Sequence, residues 1–227
     1  MKLYPAMLRI SDRRAIVIGG GSVALRKIKD LLECGALITV IAPRIHEAVH
    51  ELAALYPDKI EIINRTYKRG DCAGAAVVFS ATDDEGVNRE VFKEAREHNI
   101  FINAVDDPQN CTFFVPSWFN RGGLIVAVST SGESPALAAR IRRDIESMVP
   151  ESIADTLEAL EKTRILLTGD SEFATLTSPQ RGSLLTRIVN NDELLRELVQ
   201  CYSSGSLKSF IKDLLSNAAS SGSGLLE

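Results

Sequence analysis

The chain has 227 residues, 45% of them hydrophobic and 25% charged, the proportions of an ordinary globular protein with enough length for a real core. Disordered, collagen-like and disulfide-scaffold readings are excluded. A formal net charge of −4 supplies no global field toward nucleic acid or an anionic membrane surface, so an anionic ligand must be met by a local arginine cluster.

Residues 14–18 (RAIVI) read as a short buried strand running into Gly19-Gly20-Gly21. Residues 23–34 show helical spacing through Val23, Ala24, Ile28, Leu31 and Leu32, and Gly35 marks the stop. A second apolar strand at 37–42 is closed by Pro43, and 44–56 returns to helical period. Strands at 60–64 and 76–81, a polar-faced helix at 84–98 capped by Asp83 or Asp84, and a strand at 101–105 follow. Alternating strands and helices imply βαβ units and a parallel sheet covered on both faces.

After Pro108 the pattern changes. Segments 112–116 and 124–129, joined by Asn120-Arg121-Gly122-Gly123, predict an antiparallel pair. Ser134-Pro135 is a cap followed by a first-turn proline and opens a helix at 136–148. Helices are predicted at 151–167, 178–190, 192–201 and 206–215. The expected fold class is α/β: a Rossmann-like parallel-sheet domain over 1–112, a small β-rich segment over 113–149 and a helical domain over 150–227 with a flexible tail from about 218. The apolar runs fall far short of the roughly 20 residues of a membrane span, and the N-terminus has no signal-peptide h-region. Cys34, Cys72, Cys111 and Cys201 lack CxxC spacing and read as idle thiols of a cytoplasmic protein.

The residues with chemical meaning cluster at predicted strand ends. Gly19-Gly20-Gly21-Ser22-Val23-Ala24 is G-x-G-x-x-A between a strand and a helix. Gly19 suits the tight turn, Gly21 lets backbone approach a pyrophosphate, and Ala24 allows close helix–strand packing. The amides opening the helix then face the phosphates. The acid that usually holds the adenosine ribose is missing, since the second strand ends in Ala42-Pro43-Arg44, which leaves NAD and NADP undecided on chemistry alone. His46-Glu47-Ala48-Val49-His50 is formally the HExxH zinc motif. Its place on the helix after the second strand, away from the strand ends, favours two solvated histidines and no bound metal. Asp106 and Asp107 follow the last parallel strand, where a carboxylate can reach substrate. Thr82 is placed to approach the cofactor, and residues 129–134 offer Ser129 and Thr130 at a helix N-terminus as an anion cradle. Arg121, Arg140, Arg142 and Arg143 are candidates for substrate carboxylates.

With these segments in hand, the chain resembles the precorrin-2 dehydrogenase and sirohydrochlorin ferrochelatase family over roughly residues 3–148. The resemblance rests on Leu3-Tyr4-Pro5, the glycine loop with Arg26-Lys27, Ala81-Thr82-Asp83-Asp84 with Asn88, Asn103-Ala104-Val105-Asp106, Phe114-Val115-Pro116-Ser117 and the run from Val126 to Pro135. It implies a homodimer whose segment 113–149 is the dimerisation element, with NAD held by Ser22, Val23, Pro43 and Arg44 and an essential aspartate at Asp106. The implied reaction is oxidation of an anionic tetrapyrrole, precorrin-2, to sirohydrochlorin. In some members Fe²⁺ is then inserted as a co-substrate. A non-catalytic NAD-sensing module is the alternative from another class, and it is disfavoured by the strand-end acid.

Overall fold

The computed structural model describes residues 2–105 and 107–220, the side chains of 218–220 excepted. They form two compact units, Lys2–Val115 and the residues from Pro116 onward, each described by itself.

The first unit is a five-stranded parallel sheet in the order β3-β2-β1-β4-β5, built from β1 (Arg14–Ile18), β2 (Leu37–Ile41), β3 (Ile60–Ile63), β4 (Val77–Ser80) and β5 (Phe101–Ala104). Period-2 alternation sends the strands' side chains to two separate cores. Ala15, Val17, Ile38, Val40, Val77 and Phe79 pack with Ala24, Ile28 and Leu31 of α1 (Ser22–Glu33) and Val49 of α2 (Glu47–Leu55). Ile16, Ile18, Ile41, Val78 and Ile102 pack with Val91 and Ala95 of α3 (Glu85–Glu97). Both faces are covered, so the strands are continuously apolar, as the sequence predicts. Gly35 stops α1 with φ of +76°, and Asp84, not Asp83, caps α3 by accepting from the N–H groups of Gly86 and Val87 at 2.8 and 3.1 Å.

Where a helix between β3 and β4 would complete the pattern, residues 64–76 form a loop tied to α3 at its surface by the Arg69–Glu97 ion pair and inside by a second carboxylate. Glu94, 1% exposed, accepts from the N–H groups of Gly70 and Cys72, both at 2.8 Å, and from the Tyr67 hydroxyl. Burial works against its ionisation, and these three donors outweigh burial, holding the carboxyl below its ordinary value. A depressed carboxyl pKa stabilises the fold above the unfolded-state value and ceases to do so as pH falls through the folded one. Glu94→Gln is therefore expected to cost about 2–3 kcal/mol at neutral pH, because it removes charge-assisted hydrogen bonds inside the core. That deficit should shrink below about pH 4, as urea melts across pH would record.

The second unit opens with a hairpin of β6 (Ser117–Arg121) and β7 (Leu124–Val128). The antiparallel pair is as predicted but its first strand is shifted, from 112–116 to Ser117–Arg121. Residues 112–115 instead extend along β5, where the Thr112 N–H donates to the Ile102 carbonyl at 2.8 Å and the Thr112 hydroxyl accepts from the Ile102 N–H at 2.9 Å. Phe113 and Val115 pack there against the first unit's core, which outcompetes the β-propensity of that run. The hairpin turn is Gly122-Gly123, with φ of +56° and +93°, so both central residues lie in the region a two-residue hairpin requires. α4 (Pro135–Met148), capped by the Ser134 hydroxyl, packs on both strands. α5 (Ile153–Gly169), α6 (Ser178–Val189), α7 (Asp192–Ser203) and α8 (Leu207–Ser220) enclose a core of Ala159, Leu167, Phe173, Leu184, Ile188, Leu198, Phe210 and Ile211. α8 runs past the predicted end at 215, and the tail after Ser220 lies outside the described residues.

The HExxH segment does not sit on one helix face. α2 begins at Glu47, and His46 precedes it as the cap, its Nδ1 accepting from the Ala48 N–H at 3.1 Å. Its backbone N–H donates to the Gly20 carbonyl at 2.8 Å, so it lies nearer the strand ends than the sequence suggests. Both His46 and His50 are exposed. Among the described residues no group of three His, Cys, Asp or Glu side chains is placed to hold a metal ion, and no helix is long and apolar enough to cross a membrane.

Candidate functional site

The strand order reverses between β1 and β4, the place where doubly wound sheets open a crevice at their carboxyl ends. The three glycines occupy that point, and the third differs from the first two. Gly19 has φ of +121°, and a Cβ on it would lie 2.1 Å from the Ala81 carbonyl oxygen. A Cβ on Gly20 would lie 2.3 Å from the Arg44 carbonyl oxygen. These two residues let the loop close against the ends of β4 and β2. Gly21 is unlike them, with an ordinary φ of −83° and nothing within 4 Å of a Cβ built on it. The fold itself leaves room for a side chain there.

Gly21 also precedes α1 as its cap residue and provides no side-chain cap, and the first turn of the helix carries no acidic residue. The amides of Ser22 and Val23 thus open a positive helix end toward the crevice. The arrangement fits a dinucleotide pyrophosphate. Pro43 and Arg44 are exposed on the loop leaving β2, directly beside Gly20. Thr82 is held on the other side. The buried Asn88 amide donates from Nδ2 to the Thr82 carbonyl at 3.1 Å and accepts from the Ser80 hydroxyl at 2.6 Å, and the Thr82 hydroxyl accepts from the Asp84 N–H at 3.2 Å. Nothing in the sequence pattern gives Asn88 a role of its own. It is the brace that fixes the end of β4 against which Gly19 turns.

At the neighbouring strand end, the sequence offers Asp106 and Asp107. Asp106 lies outside the described residues. The Asp107 carboxylate accepts from the Asn110 side-chain amide at 2.5 Å, within a short 3₁₀ turn, Pro108–Asn110. Asn103, Cys111 and the ends of this loop are tied together by further hydrogen bonds, a network the sequence reading did not anticipate because it took Cys111 as idle.

The remaining predicted residues belong to the second unit. Ser129 and Thr130 precede α4, their hydroxyl oxygens accepting from the N–H groups of Ser131 at 3.1 Å and Ser134 at 3.0 Å. Arg140 is exposed, with Asp144 at 3.8 Å. Arg142 pairs with Glu146. Arg121, expected at substrate, also holds its own unit together. It donates to the carbonyls of Glu146, at 3.0 Å, and Val149, closing the C-terminal turn of α4, with its guanidinium 5.9 Å from the Phe119 ring centroid.

A family model for NAD(P)-binding proteins matches residues 6–117, and the model for the central part of the sirohaem biosynthesis protein matches 121–148. A solved structure, SirC, precorrin-2 dehydrogenase, superposes with a TM-score of 0.71 at 28% identity, covering 94% of this chain and 100% of that one. Over these residues the chain is similar to siroheme synthases and to the precorrin-2 dehydrogenase SirC. Among curated relatives, the siroheme synthase of Pseudoalteromonas translucida is 38% identical over 153 residues, 67% of this chain and 32% of the relative. That of Psychrobacter arcticus is 33% identical over 206 residues, 87% of this chain and 37% of the relative. The chain spans about a third of the length of these siroheme synthases. The NAD(P)-binding model thus spans the first unit, whose glycine loop stands at the sheet's switch point.

Proposed function

We propose that this chain oxidises precorrin-2 to sirohydrochlorin with NAD in siroheme biosynthesis. The observation that carries the reading is Gly21, a glycine the fold does not need, beside open amides at the switch point of the sheet. The oxidation removes a hydride equivalent and a proton from the tetrapyrrole. NAD supplies the hydride acceptor when bound.

The chain's own groups bind, orient and move the proton. Gly19, Gly21, Ser22 and Val23 present backbone to the pyrophosphate, Pro43 and Arg44 border the adenosine side, and Thr82 borders the crevice from β4. Asp106 takes the proton as general base. Its support is its place in the sequence directly after β5, whose carboxyl end borders the crevice, together with the engagement of the neighbouring Asp107 by Asn110. Substrate carboxylates meet Arg140 and the hydroxyls of Ser129 and Thr130, while Arg121 anchors that segment.

Anaerobic incubation with precorrin-2 and NAD tests the reading. NADH absorbance should rise in step with the sirohydrochlorin spectrum. Cofactor binding without turnover would instead favour a sensing module. Repeating the incubation with sirohydrochlorin and Fe²⁺ tests insertion of the metal as a second substrate, for which the same carboxylate would accept the pyrrole protons.

The homodimer belongs to the same proposal. Leu137, Ile141 and Met148 share one face of α4 and are exposed by 48%, 37% and 80%, and Ile125 is exposed on β7. A second copy of the chain is the occupant this apolar stripe suits. Ile141→Asp is expected to convert a dimer into a monomer in light-scattering chromatography, and an unchanged mass would remove the stripe from the interface. We place the protein in the cytoplasm, with its four unpaired cysteines as the support.

A further inference from the structure

We propose that Asn103 and Cys111 are positioning residues which clamp the loop after β5 so that its acidic group meets the substrate. The proposal rests on the reading of Asp106 as the base, and adds to it the machinery that aims that base. The Cys111 sulfur lies 3.2 Å from both the amide nitrogen and the carbonyl oxygen of Ala104, and 3.3 Å from the Asp107 carbonyl oxygen. One thiol thus touches the last residue of the strand and the residue just beyond position 106. Asn103 Nδ2 approaches the same sulfur at 3.7 Å and donates to the Phe113 carbonyl at 3.1 Å, tying the outgoing chain to the strand.

The described flanks of position 106 are tied down in the same way. The Val105 N–H donates to the Ser80 carbonyl at 2.9 Å, and the Asp107 N–H to the Ala104 carbonyl at 3.3 Å. A thiol can serve this role only while it keeps its one proton, since a thiolate accepts from the Ala104 N–H but cannot donate to either the Ala104 or the Asp107 carbonyl. Burial pushes the Cys111 pKa up, which keeps it a donor at neutral pH. A residue that fixes a loop to within an ångström matters to catalysis out of proportion to its bond strength, because misplacement of about 1 Å costs on the order of 10²-fold in rate.

The test compares Cys111→Ala, Cys111→Ser, Asn103→Leu and Asp106→Asn in anaerobic precorrin-2 oxidation, NADH-fluorescence titration and thermal melts. Cys111→Ala and Asn103→Leu should lose about 10- to 100-fold in kcat. Their KM and dissociation constants for the cofactor should stay within about twofold, because the glycine loop is untouched. Cys111→Ser, which keeps a donor and an acceptor, should recover most of the rate. Full kcat in Cys111→Ala and Asn103→Leu beside an inactive Asp106→Asn overturns the clamp and leaves the base assignment standing. A fully active Asp106→Asn overturns the base assignment itself. Parallel loss of kcat, cofactor affinity and melting temperature, without rescue by serine, also overturns the clamp by showing a merely structural role. If Cys111→Ala does not fold, Cys111→Ser and Asn103→Leu decide by the same split between rate and affinity.

Discussion

Asp106→Asn is expected to keep its cofactor affinity and to lose precorrin-2 oxidation by about 10²–10⁴-fold, the range a positioned general base supplies. Asparagine is nearly isosteric and uncharged, so it preserves shape and removes proton affinity. The neighbouring acid cannot take over cheaply, because Asp107 is bonded to Asn110 within the 3₁₀ turn. Asp107→Asn should therefore reduce rate far less than Asp106→Asn. Steady-state kinetics with NADH-fluorescence binding separate the two outcomes. Undiminished turnover in Asp106→Asn would take this carboxylate out of the mechanism.

Gly19→Ala and Gly21→Ala should fail in opposite ways. At Gly19 a methyl group would stand 2.1 Å from the Ala81 carbonyl oxygen on a backbone at φ +121°, so β1 and β4 must separate at the switch point. A cost of about 2–4 kcal/mol is expected, with a lowered melting temperature even without cofactor. At Gly21 the methyl meets nothing within 4 Å, so the melting temperature of the free protein should not move. The NAD dissociation constant should nevertheless rise by about tenfold or more, since the group occupies space a pyrophosphate needs, and tenfold corresponds to about 1.4 kcal/mol. Equal affinity in Gly21→Ala and the parent protein would mean that no phosphate lies against this loop.

Much of the fold was legible because both its signals are local. The apolar runs of β1 and β2 are buried on both sheet faces, and α1 is delimited by Gly21 and Gly35. Other features depend on what competes for a segment. Residues 112–115 look like a strand of the hairpin by composition, yet β5 and the first unit's core claim them through Ile102, Phe79 and Phe113, whose ring meets Phe79 edge-on at 5.4 Å between centroids. HExxH has the spacing of a zinc helix, yet His46 is spent on capping α2. Bidentate pairing makes Arg121 a candidate for substrate carboxylates, and the sequence gives no sign that it also closes the C-terminal turn of α4.

The amino-acid order alone determined the alternation of strands and helices, the glycine loop and the acid that follows β5, because hydrophobic period and backbone permissiveness act over a few residues. Only the tertiary structure decided that Gly19 and Gly20 are hemmed in by neighbouring carbonyls while Gly21 stands clear, that Asn88 braces one strand end and that Cys111 and Asn103 tie the other. Those roles arise from atoms brought within about 3 Å by chain closure, and no spacing along the sequence records such contacts.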